Sequence, residues 1–141
     1  MLVLTKKLSN TRPVNEENLL PRVILKNPAG KMELTDGAAT ILEVGMNQRV
    51  VIEQFGEVFA IRKSRTDDEG ALLDKHLNFS MGAAHQAMGG VKQSDEGTFY
   101  TVYEVAEEPT EAEIEDGEVV NVYILTKIED KFAAKRNSKE D

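Results

Sequence analysis

The sequence predicts a mainly β, α+β protein built from two pseudo-duplicated β-α-β-β units between polar N- and C-terminal arms. Three observations lead there. Leu34-Thr35-Asp36-Gly37-Ala38-Ala39 returns 45 residues later as Phe79-Ser80-Met81-Gly82-Ala83-Ala84, and a glycine follows each copy at the same distance, Gly45 and Gly90. Each copy reads as an apolar strand end, a hydroxyl N-cap, a short helix of small residues and a glycine stop. Two strand-like runs then follow each copy, so one offset organises most of the chain.

The elements are justified in order. Residues 1–21 read as an arm: Asn10, Pro13, Asn15, Asn18 and Pro21 interrupt any period, and Leu19-Leu20 are expected to anchor the segment. Residues 22–26 (RVILK) form a β-rich run ended by the turn signal Asn27-Pro28-Ala29-Gly30, and residues 31–34 give a short second strand. Thr35 caps a helix over residues 36–44 that Gly45 stops. Residues 49–54 and 57–62, joined by Phe55-Gly56, read as a hairpin.

A charged connection over residues 63–74 leads to the second unit. Its strand at 76–79, its Ser80 cap and its helix to Met88 mirror the first, with Gly89-Gly90 as the stop. Residues 98–105 (TFYTVYEV) are the strongest strand, and residues 119–125 (VVNVYIL) are its expected hairpin partner. No clear equivalent of the first strand precedes the second copy. The expected organisation is an arm over 1–21, one globular domain over 22–126 made of units 22–63 and 75–126, and a polar tail over 127–141.

Composition excludes several classes. A chain of 141 residues and 15.7 kDa supports one ordinary core. No run approaches the ~20 apolar residues that a membrane-spanning helix needs, and the first residues do not read as a secretion signal. Cysteine is absent, which removes disulfides and thiolate chemistry. A cytoplasmic location, or a virion for a phage-derived chain, is expected rather than secretion.

The net charge of −8 is concentrated in residues 104–118, which hold eight carboxylates and no base, leaving 17 of the 25 acids against 17 bases. Glu107, Glu108, Glu111, Glu113, Glu115 and Asp116 are therefore the candidate acidic interaction loop, placed at the tip of the last hairpin. Arg22, Lys26, Lys31, Arg49, Arg62, Lys63 and Arg65 belong to the first unit and its exit. They are the candidate polyanion-binding set, provided that they fall on one face.

No catalytic constellation is legible, and a non-enzymatic protein without cofactor or metal is expected. His76 and His85, nine residues apart, lack the spacing of a paired metal motif and read as a strand-edge residue and a partly buried or surface helix residue. Thr35, Ser64, Ser80 and Ser94 sit in no nucleophile elbow. The Gly-Gly pair follows a helix, whereas a phosphate cradle precedes one. Gly37 and Gly82 read as close-packing points between the two copies.

The motifs VILK, Pro28-Ala29-Gly30-Lys31, TDGAATILEVG and MNQRVVIEQFGEVFAIRK, over about residues 22–63, resemble the AbrB/SpoVT swapped-hairpin family. That resemblance implies two units interlocked in one barrel-like core, and DNA binding by a basic face. TDGAATILEV with its following Gly-x-x-Phe strand is also similar to a segment of lambda-type phage head-decoration proteins. Two functions are thus expected to compete. The first is a non-enzymatic assembly or protein-interaction module, such as a phage or virion component, with protein partners or self-assembly. The second is an AbrB-like DNA-binding transcriptional regulator that meets nucleic acid through the first unit.

Overall fold

The computed structural model describes residues 1–3, 16–91 and 97–132. After a helical turn, α1 (Glu16–Leu19), the chain forms β1 (Arg22–Asn27), β2 (Lys31–Leu34), α2 (Asp36–Leu42), β3 (Arg49–Phe55) and β4 (Val58–Lys63). The second half comprises β5 (Ala71–Leu72), β6 (Asn78–Ser80), α3 (Gly82–Ala87), β7 (Phe99–Val105), β8 (Thr110–Glu113) and β9 (Val119–Phe132). All pairings are antiparallel, in the order β5-β3-β4-β9-β7-β1-β2-β6, with β8 on β9. The backbone bond from Asp74 N–H to Asn78 C=O joins the two ends, so the sheet is a nearly closed barrel.

Strand pairs from the two halves alternate around this barrel. β3-β4 of the first half lies beside β9-β7 of the second, and β1-β2 separates β7 from β6. The pairing has two-fold pseudo-symmetry. The β1·β7 contact answers β5·β3, β3·β4 answers β7·β9, and β2·β6 and β4·β9 each join equivalent strands. The 45-residue offset relates Glu33 to Asn78, and these two residues face each other in β2·β6. The missing first strand of the second copy is β5, which the charged connection conceals because only two of its residues pair.

Alternation decides which side chains form the single core. Val23, Leu25, Met32, Leu34, Val50, Ile52 and Ile61 point inward from the first half, and Phe79, Met88, Tyr103, Val105 and Leu125 from the second. Burying a side chain of this size contributes about 1.5–3 kcal/mol, and here each half supplies the other's burial. The Phe59 and Tyr103 rings meet edge-on at 6.4 Å across the halves, and the Tyr103 hydroxyl donates to Met88 C=O at 2.7 Å.

Three local expectations are corrected. Ser80 does not cap α3: it stays in β6 opposite Lys31, and Met81 holds the cap position without a side-chain bond. Gly45 does not stop α2. Glu43 takes the left-handed conformation (φ 57°), and the Val44 N–H to Ala39 C=O bond closes the turn. Gly89 (φ 92°) does stop α3, and Gly90 N–H closes that turn on His85 C=O. The tail expected from residue 127 begins later, because Lys127–Phe132 continue β9 along β7 through a bulge near Ile128. Residues 133–141 and Ser94 lie outside the described residues.

The N-terminal arm is anchored by backbone rather than by the leucine side chains, which are exposed. Thr35 is the anchor. Its hydroxyl oxygen accepts from Ala38 N–H at 3.2 Å and Arg22 N–H at 2.9 Å, and its O–H donates to Leu20 C=O. Asn18 closes the contact with a 2.6 Å bond to Asp36. Gly37 therefore packs under the arm rather than against the second copy. Thr35→Ala is expected to cost about 2 kcal/mol and Ser80→Ala less than about 0.5 kcal/mol, read from urea midpoints.

Candidate functional site

The most organised polar site lies on the outer face of the β3-β4 hairpin. Arg62 projects from β4 there, and residues 64–70 fold over it, leaving it 3% exposed. A buried guanidinium has five N–H groups to satisfy. Nε and Nη2 donate to Glu53 at 2.8 and 3.1 Å. Nη1 and Nη2 donate to Glu69 at 3.1 and 2.9 Å, and Nη1 also reaches Lys63 C=O at 3.4 Å. Arg65 extends the network: it bonds Glu69 at 2.8 Å, Asp116 at 2.9 Å and Glu118 at 2.8 Å.

This network joins members of the two sets of charged residues expected to act separately. Arg62 is buried against carboxylates, Arg65 is paired with others at the surface, and Asp116 of the acidic segment is held by Arg65. Lys26 is also paired, with Glu33 at 3.1 Å and Asn78 at 2.7 Å. Arg49 donates to Gly70 C=O at 3.0 Å. Arg22 begins β1 opposite Glu104, while Lys31 begins β2 and Lys63 ends β4, both exposed. Of the seven basic residues, three (Lys26, Arg62 and Arg65) are engaged with carboxylates.

The acidic segment is not a plain loop at a hairpin tip. β8 pairs with Val119–Val122 of β9, and bonds between Ile114 and Glu118 and between Gly117 and Ile114 close its turn. Ile114 is buried beneath this turn. Glu107, Glu108, Glu111, Glu113 and Glu115 remain exposed on the ordered hairpin.

Glu53, Glu69 and Glu118 are the members of this network that sequence reasoning missed. The hairpin register was the available signal for one of them. Arg62 pairs with Val51 and Glu53 with Ala60, so Arg62 and Glu53 are diagonal neighbours on one face. The Glu69 carboxyl is held well below its usual range, first by Arg62 and then by Arg65. Hydrogen bonding to Arg65 also lowers Asp116. A depressed carboxylate stabilises the fold above its unfolded pKa, and that contribution is lost as pH falls through the folded value. Stability is therefore expected to decline below about pH 4.5, and Glu69→Gln to give a shallower decline in unfolding midpoints.

The histidines lie apart. His76 is exposed in a turn rather than on a strand edge, its N–H donating to Asp74 at 2.8 Å. His85 is 1% exposed, more deeply buried than expected, with Nε2 3.2 Å from Lys26 C=O and its ring against Gly90. No group of three or more metal-ligating side chains forms among the described residues. No helix among them is long and apolar enough to cross a membrane. A cleft of about 320 Å³ opens where β5 meets β6, lined by Lys31, Leu72, Asp74, Asn78, Phe79 and Ser80.

No family model, curated protein or solved structure matches the chain.

Proposed function

We propose that the chain is a non-enzymatic protein-interaction and assembly module. One observation carries this reading: Arg62 and Arg65, which a polyanion-binding face would need, are committed to Glu53, Glu69, Asp116 and Glu118. The same ion pairs hold an ordered acidic hairpin whose remaining carboxylates face outward, a surface that suits a basic protein partner and repels phosphate. The likeness of TDGAATILEV to head-decoration proteins makes a virion component the form of assembly to examine first. A cytoplasmic or particle-bound location accords with the cysteine-free composition.

The competing DNA-binding reading is favoured by the alternation of strand pairs around the barrel, the arrangement that the AbrB-like resemblance implies. Duplex DNA retention separates the two. The interaction module is expected to pass unretained at about 50 mM salt. Retention that weakens steeply with added salt would overturn it.

A further inference from the structure

The two pseudo-symmetric halves of the barrel wall are filled unequally. In the first half β1 lines β7 from Arg22↔Glu104 to Asn27↔Phe99, and Pro21 C=O accepts Val105 N–H. In the second half β5 covers only Arg49 and Val50 of β3. Backbone groups alternate sides along an antiparallel strand. Arg49 C=O accepts Ser64 N–H on the β4 side, so the N–H and C=O groups of Ile52 and Gln54 face the other, uncovered edge. They have no hydrogen-bond partner among the described residues.

β6 repeats the inequality. Thr35 N–H donates to Arg22 C=O at 3.1 Å, and its hydroxyl is bonded to the arm and to Arg22. Ser80, its equivalent, has neither bond among the described residues, and it lines the open cleft with Leu72 and Asn78. An added Cβ at Gly37 would strike the arm, whereas one at Gly82 would meet nothing within 4 Å. Among the described residues, no strand fills in the second half the place that residues 22–25 fill in the first.

We propose that this opening beside β5 is a strand-acceptor site, which takes an extended, basic segment of a partner protein by β-addition. The inference rests on the interaction-module reading and gives it a site. Free strand edges recruit an added strand through main-chain bonds, and alternate side chains enter flanking pockets. The occupied half supplies the template: its strand carries Arg22 and Lys26 on either side of apolar Val23, Ile24 and Leu25. Charge selects the partner over a second copy. The chain carries −8 overall, and although Lys31 faces Asp74 across the cleft, Asp67 and Asp68 on the approach to β5 leave the surroundings acidic and favour a basic strand.

The test adds a synthetic peptide of the Leu20–Asn27 sequence to the ¹⁵N-labelled full chain. The expected result is saturable amide shifts at Ile52, Gln54, Leu72 and Ser80 below about 1 mM peptide. A peptide with Glu in place of Arg22 and Lys26 is expected to bind at least about tenfold more weakly, as is the native peptide to Leu72→Arg. Absence of saturable shifts, shifts centred on β1 and β7 instead, or the same shifts on concentrating the chain without peptide would overturn the proposal. The last outcome would make the occupant a second copy. None of these results touches the interaction-module reading, which falls on DNA retention alone.

Discussion

Arg62→Met is expected to lower the unfolding free energy by about 3 kcal/mol at pH 7. Removing one member of a buried charge pair strands its partner, here Glu53, at a typical cost of about 3–5 kcal/mol. Glu53 and Glu69 remain 29% and 21% exposed, so water moderates the penalty and the lower end applies. The loss includes the loop as well as the hairpin, because Glu69 ties residues 64–70 over β3 and β4. Adding Glu53→Met is expected to recover part of the loss, since Glu69 keeps its bonds to Arg65 and no unpaired carboxylate then remains. Urea titrations of the single and double variants at pH 7 measure both effects, and a loss below about 1 kcal/mol in Arg62→Met would show that the network is peripheral.

The next largest effect comes from two glycines that the sequence presents as equivalent. Gly37→Ala would bring a Cβ 2.7 Å from the Leu19 carbonyl carbon and 2.9 Å from that of Leu20, both backbone atoms that cannot rotate away. It is expected to displace α1, break the Thr35 bonds to the arm and cost about 2 kcal/mol. Gly82→Ala meets open space in a helix first turn, so it is expected to be neutral or stabilising by up to about 1 kcal/mol. Limited proteolysis gives a second readout: cleavage near residues 16–21 should accelerate in Gly37→Ala alone. Equal behaviour of the two variants would contradict the arm's packing.

Local patterns made much of the barrel legible. The β3-β4 hairpin was marked by alternation around Gly56, and β7 by its aromatic and β-branched run. The 45-residue repeat marked the equivalent helices. What escaped depended on pairing between distant segments. β5 has only Ala71 and Leu72 in a charged stretch, so no period reveals it. The Lys127–Phe132 strand is polar because it is a barrel rim, and only β7 makes it a strand. Residue type suggested Ser80 as a cap, but its pairing with Lys31 kept it in β6. The charged site was missed for a similar reason. Counting bases in one stretch and acids in another treats each set as free, whereas Arg65 and Glu118 become neighbours only after the halves interlock.

That interlocking is the central claim, and native-state hydrogen exchange in low urea tests it directly. With hairpins of each half alternating around one core, the slowest amides of β1, β4, β7 and β9 are expected to exchange through one common unfolding free energy. Two separate unfolding free energies, one for strands β1 to β4 and another for β6 to β9, would mean two independent cores and would contradict it.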